Sequence, residues 1–272
     1  MDILTCQGMA MPQLGFGTWR LAETSGQKAI ESALALGYRH IDTAEMYANE
    51  AIVGDAIAAG GVARGDLHVT TKVWHDHLAP DAIRAALDAS LTKLKLDYVD
   101  LYLVHWPAPG MDMAAIFDTL GKEMEAGRIH AMGVANFTVP LLKEAVETLG
   151  APIACNQVEY HLFLDQTPLK AYLGQHGIPL VAYRPLAQGP LDEFPVLGTI
   201  AAKHGATPAQ VALKWLLDQN GVAAIPKAES PAHQQANLDA LSIALDDEDR
   251  AAIAALPRDR RLVDPDFAPK WD

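Results

Sequence analysis

Short apolar runs alternate with longer amphipathic stretches along the whole 272-residue chain. Eight runs read as strands: QLGFGT (13–18), YRHIDTA (38–44), LHVTTKVW (67–74), DYVDLYLVHWP (97–107), RIHAMGVANF (128–137), IACNQVEYH (153–161), IPLVAYRPL (178–186) and GVAAIPK (221–227). Between them lie segments of helical period, among them GQKAIESALALG (26–37), PDAIRAALDASLTKLKL (80–96), VPLLKEAVETLG (139–150) and TPAQVALKWLLDQ (207–219). In the second of these, Ile83, Leu87, Leu91 and Leu94 form one apolar stripe, and Pro80 and Asp81 suit a first turn. Gly37, Gly60, Gly127, Gly150, Gly177 and Gly205 read as helix stops, since glycine accepts the left-handed closing conformation.

Strands alternating with helices imply parallel strands joined by right-handed crossovers. An open doubly wound sheet would carry a glycine-rich first turn for its ligand, and Gly15-Phe16-Gly17-Thr18-Trp19 is not GxGxxG. The pattern therefore favours a single α/β domain over 1–272, a (β/α)8 TIM barrel with a short N-terminal extension and a C-terminal tail over the barrel mouth.

A net charge of −13 without a basic run argues against a nucleic-acid or anionic-membrane surface. The two cysteines, Cys6 and Cys155, have no paired spacing, and neither a signal-peptide pattern nor a membrane-spanning apolar run is present. These features predict a cytoplasmic protein.

In a barrel, chemistry gathers at the C-terminal strand ends. Those ends present Asp42, Lys72, Trp74, His105, Trp106, Asn136, Gln157, Tyr183 and Lys227, with Tyr47 just after the second strand. Taken singly, Tyr47 reads as a surface aromatic, Asp42 as a helix cap, and Lys72 as an ion-pair partner. Trp19 and Trp106 also admit a core-packing reading, and His40 and His161 read as structural. Together, Asp42, Tyr47, Lys72 and His105 describe a proton-delivery site. An ammonium lowers the pKa of a neighbouring phenol, an aspartate holds the ammonium, and a histidine orients a carbonyl oxygen. Such a site protonates a developing alkoxide, and the hydride must come from a cofactor. His75-Asp76-His77 carries a competing reading, a metal-dependent barrel hydrolase. A cofactor-binding regulatory subunit without turnover is a third.

The motifs GFGTW, GYRHIDTAEMYANE, TTKVW, DYVDLYLVHWP, GVANF, NQVEYH and IPK occur in the order found in aldo-keto reductases, which the chain resembles over nearly its whole length. The C-terminal DRRLVDPDFAPKWD is similar to that of the bacterial 2,5-diketo-D-gluconate reductases. The resemblance implies an NADPH-dependent carbonyl reductase, monomeric, with Tyr47 as acid assisted by Asp42, Lys72 and His105. It implies that Asn136 and Gln157 meet the nicotinamide carboxamide, that Tyr183 stacks on its ring, and that Lys227 meets the 2′-phosphate and Asn237 the adenine. Gly17, Thr18, Arg184, Leu186, Gln188, Ala228, Ser230 and His233 would complete the cofactor channel. Trp19, Trp74 and Trp106 would wall the substrate mouth.

The chain departs from the family pattern at Ala135 and Arg184, where the family often has serine. It departs again beyond Lys227, where Ala228, His233 and Ala236 replace the family's serine, arginine and glutamate. A neutral imidazole lacks the bidentate fork of a guanidinium, so weakened discrimination against NADH is expected. The short PAPGMDM connection (107–113) points to an open pocket for small polar carbonyls.

Overall fold

The computed structural model describes residues 2–187 and 190–272. The chain begins with an antiparallel hairpin, β1 (Ile3–Cys6) and β2 (Met9–Pro12). Gln7 and Gly8, both at positive φ, make its two-residue turn, whose twist matches that of the strands. The expected N-terminal extension is thus ordered.

The repeating units follow: β3 (Phe16–Gly17), α1 (Glu23–Leu36), β4 (His40–Asp42), α2 (Glu50–Ala59), β5 (His68–Val73), α3 (Pro80–Leu94), β6 (Val99–Val104) and α4 (Met113–Glu125). Then come β7 (Ile129–Ala135), α5 (Val139–Lys143), β8 (Ile153–Glu159), α6 (Thr167–Gln175), β9 (Leu180–Tyr183), α7 (Pro195–Lys203), α8 (Pro208–Leu217), β10 (Val222–Ala224), α9 (Pro231–Asp239) and α10 (Asp247–Ala254). Strands β3 to β10 lie side by side in chain order, all parallel. A parallel bridge between Leu14 and Ala224 joins the two edges, reinforced by Gly15 N–H to Ala224 O at 2.9 Å and Gly17 N–H to Pro226 O at 3.1 Å. The result is a (β/α)8 barrel. A Cβ on Gly17 would stand 2.7 Å from the Ile225 carbonyl oxygen, so this seam requires glycine.

Alternation along the strands divides the core in two. Leu101, Leu103, Ala131, Cys155, Val181 and Ala223 pack inside the barrel with Met9 and Met11 of the hairpin. Tyr102 and Val104 face the helices, where the α3 stripe of Ile83, Leu87, Leu91 and Leu94 is buried. Truncating Leu87 to alanine there costs about 2–5 kcal/mol. The same period of two makes Thr70 and Lys72 of β5 neighbours on one side, with Lys72 at the mouth.

Two sequence expectations change in detail. Gly60 ends α2 in the right-handed conformation (φ −73°), and Gly61 takes the positive φ instead. The helix expected over 139–150 is α only as far as Lys143 and widens to a π turn over Glu144–Thr148. After α10 the chain crosses the barrel mouth, tied by Asp165 N–H to Arg258 O (2.9 Å) and Arg260 N–H to Phe163 O (2.8 Å). Among the described residues, no helix is long and apolar enough to cross a membrane.

Candidate active site

β4 and β5 pair in register and set Asp42 beside Thr70, two residues before Lys72 on the same side of β5. Both charges are buried, with Lys72 Nζ 2.6 Å from Asp42 Oδ1. Lys72 also donates to Thr43 O at 2.7 Å and to the Tyr47 hydroxyl at 3.4 Å. An ammonium has three N–H donors, so all three are directed. Asp42 Oδ2 accepts from Gln157 Nε2 at 2.7 Å, which ties the pair to β8 across the barrel.

Tyr47 sits in a single 3-10 turn, Glu45–Tyr47, closed by Ala48 at φ 55°. Glu45 fastens this turn to the loop after β5: Oε2 accepts from Trp74 N–H at 2.9 Å, and Oε1 meets His77 Nδ1 at 2.7 Å. Asn49 does the same for the loop after β3, donating to Thr18 O and Leu21 O. The half-buried Tyr47 ring packs on Trp19 (centroids 4.9 Å apart) and His105 (5.7 Å).

The electrostatics differ from the sequence-based expectation. Burial pushes the Tyr47 phenol well above its ordinary pKa, and the Asp42 charge adds to this. The Lys72 ammonium is already in contact with Asp42, so its charge is largely neutralised locally. Burial also lowers the Lys72 pKa, opposed by Asp42. His105 is held well below the usual imidazole range by burial, then by Lys72 and His75, so it is neutral at pH 7. Its Nδ1 is buried without a protein partner among the described residues.

A cleft of about 450 Å³ opens above these groups. Of the predicted residues, Gly17, Thr18, Trp19, Asp42, Tyr47, His105, Trp106, Asn136, Gln157, Tyr183, Arg184, Leu186 and Lys227 line it. Lys72 lies beneath, fully buried. Trp74 stands behind His105 (5.1 Å between ring centroids) and reaches the cleft only through it. Asn136, at φ 61°, donates to His105 O and accepts from the Tyr183 hydroxyl at 2.8 Å. Arg20, Met46, Pro185, Ile225, Pro226 and Val263 also line the cleft and were not anticipated. Nor were Phe267 and Trp271 of the tail, which pack against Trp106 at 5.5 and 6.0 Å. Their sequence signals were the tail's resemblance to that of the 2,5-diketo-D-gluconate reductases and an aromatic spacing in an otherwise irregular segment.

The outer part of the predicted channel is less assembled. Ala228 is buried, and Ser230 caps α9 by accepting from His233 N–H. His233 is exposed, while Asn237 is buried close to Tyr38. Lys227 is exposed and paired with Glu229 at 2.8 Å. Gln188 lies outside the described residues. The metal reading fails on geometry. His77 is held by Glu45 and His75 stacks on Phe267 at 4.2 Å, and no group of three potential ligands occurs among the described residues.

Residues 13–258 match the sequence profile of the Aldo/keto reductase family. This chain is an aldo-keto reductase. It is therefore an oxidoreductase that uses NAD(P)H to convert a carbonyl to an alcohol, and its substrate is a small molecule. The reductase is 43% identical over 268 residues to methylglyoxal reductase DkgB of Escherichia coli O157:H7, covering 97% of this chain and 100% of that one. An aldo-keto reductase of Mycolicibacterium smegmatis is 40% identical over 256 residues, covering 94% and 93%. Among solved structures, one proposed to be a 2,5-diketo-D-gluconic acid reductase B superposes with a TM-score of 0.96 at 41% identity, covering 100% and 98%.

Proposed function

We propose that this reductase, a single barrel domain over 1–272, reduces small dicarbonyl or keto-sugar substrates with Tyr47 as the general acid. The observation that carries this is the use of the Lys72 donors. Nζ gives one hydrogen to Asp42, one to Thr43 and one to the Tyr47 oxygen, so the phenolic proton of Tyr47 is left to point into the cleft. The raised phenol pKa keeps that proton in place until an alkoxide develops against it, as an acid in the reductive direction requires. Once the proton leaves, the Lys72 N–H already aimed at the oxygen stabilises the phenolate. His105, neutral, offers a hydrogen bond to the carbonyl oxygen without adding a charge.

The residues present fit a nicotinamide cofactor. A cleft of about 450 Å³ with two amides, an aromatic ring and a rim cation matches the usual ligand pocket, largely apolar with a few placed polar groups. Gln157 Oε1 accepts no hydrogen bond among the described residues, and Asn136 keeps one N–H and one lone pair beyond its two bonds. These two would hold the carboxamide and Tyr183 the ring. Gly17, Thr18, Arg184 and Leu186 would flank it. When bound, the cofactor supplies the hydride.

NADPH is the assigned cofactor, through Lys227 at the rim with Ser230, Ala228 and Asn237 around the adenosine. Selection against NADH is weak, because Glu229 occupies Lys227 and His233 offers no guanidinium fork. Trp19, Trp106 and, behind them, Trp74 wall the substrate side. A small carbonyl such as methylglyoxal, the substrate in the name of the DkgB relative, is the substrate class proposed for this side of the cleft. The enzyme acts as a monomer in the cytoplasm.

The test is turnover of NADPH and of NADH with methylglyoxal, diacetyl and 2,5-diketo-D-gluconate, with and without chelator. Chelator-independent oxidation of both cofactors is expected. Turnover abolished by chelator, or cofactor binding without turnover, would overturn the assignment.

A further inference from the structure

Glu159 ends β8 two residues beyond Gln157, so the two side chains leave the strand on the same side. It is fully buried, two residues along β8 from the Gln157 that binds Asp42. Its Oε1 accepts from Leu262 N–H at 2.7 Å and from His161 Nε2 at 2.9 Å, and its Oε2 accepts from Val263 N–H at 2.8 Å. His161 Nδ1 accepts from Phe163 N–H at 3.3 Å, which leaves Nε2 as the protonated nitrogen. A buried carboxylate is costly unless its lone pairs are filled, and here the consecutive amides of the tail fill them. The tail so gripped brings Val263 to the cleft wall and, four residues on, Phe267 against Trp74 (5.8 Å) and Trp106 (5.5 Å). Its far end is held by Asp272, whose carboxylate accepts from Val139 N–H at 3.0 Å on an exposed surface. Backbone ties at Arg258 and Arg260 hold the tail upstream, and the Glu159 grip on Leu262 and Val263 is the buried contact adjoining the segment over the cleft.

We propose that Glu159 is a positioning residue for substrate selection: its carboxylate clasps the C-terminal tail so that Val263 and Phe267 form the outer wall of the substrate pocket. This rests on the reductase reading of the cleft. Glu159 touches neither reacting atoms nor cofactor, so its effect belongs in KM for carbonyls that reach the wall.

Glu159→Gln tests it. Glutamine accepts one tail amide through Oε1 and opposes the other with its own N–H. With phenylglyoxal, kcat/KM should fall about tenfold through KM, the order expected for one lost charge-assisted hydrogen bond. With methylglyoxal, too small to reach the wall, kcat and KM should hold. Tryptic cleavage after Arg260 and Arg261 of the native protein, followed by mass spectrometry, should accelerate about tenfold. Phe267→Ala should give the same selectivity change, and the double variant should not add to it. Should Glu159→Gln fail to fold, Leu262→Pro, which deletes one clasping N–H from the tail side without altering a cleft-lining side chain, must reproduce the change. An unchanged cleavage rate, or equal losses with both substrates, overturns the clasp. If the wild type reduces neither carbonyl, the reading of the cleft fails while proteolysis still decides the clasp.

Discussion

Lys72→Met removes one half of a buried ion pair. Asp42 keeps the hydrogen bond from Gln157 at 2.7 Å but loses the ammonium at 2.6 Å, with almost no solvent to replace it. Breaking such a pair from one side costs about 3–5 kcal/mol, because a charge is left uncompensated. At about 2–4 °C per kcal/mol for a large domain, the apparent Tm should fall by about 6–20 °C. Adding Asp42→Leu removes the second charge and leaves mainly an unpaired Gln157 amide, a cost of about 1–3 kcal/mol. The double variant should thus be more stable than Lys72→Met alone. Urea unfolding followed by circular dichroism measures all four proteins: the wild type, Lys72→Met, Asp42→Leu and the double variant. If the double variant loses the sum of its single losses, the two groups are not coupled and the network account is wrong.

Other outcomes follow from the same geometry. Burial lowers the pKa of His40, His68 and His105, so the unfolded chain takes up protons that the fold refuses. Their stability contribution is present above about pH 6.5 and is lost as pH falls below it; a Tm that stays flat from pH 7.5 to 5.5 would contradict this. Glu229→Ser frees Lys227 and removes a negative charge from the rim, so the NADPH/NADH ratio of kcat/KM should rise about three- to tenfold. An unchanged ratio in competitive binding of 2′,5′-ADP and ADP would remove Glu229 from that role. Gly17→Ala drives a methyl to 2.7 Å from the Ile225 carbonyl at the barrel seam and should destabilise by about 1–3 kcal/mol, read by urea midpoint; a neutral midpoint would mean that the seam yields freely.

Most of the barrel was legible because its strands are apolar runs bounded by glycine, and strand-end polarity marked the mouth. The hairpin was less so. Ile3–Cys6 is only half buried, and its turn signal is the single dipeptide Gln7-Gly8. Asp42, Lys72 and Tyr47 could be grouped because a parallel barrel forces successive strand ends together. Their electrostatic balance could not be read, since it depends on contact distances: the Asp42 contact absorbs the charge expected to act on Tyr47. Lys227 looked like an available cation, but Glu229, two residues on, folds back onto it. Tail residues such as Val263 and Phe267 carry no periodic signal, because their places are set by a carboxylate about a hundred residues away in the chain.

The central claim is that Tyr47 gives the proton. Tyr47→Phe keeps the ring against Trp19 and His105 and deletes only the hydroxyl that Lys72 addresses. Steady-state reduction of methylglyoxal, paired with NADPH binding followed by fluorescence, measures both consequences. The account predicts that kcat falls by about 10²–10⁴ while the NADPH Kd stays within about twofold. A Tyr47→Phe variant turning over at near wild-type kcat would contradict it.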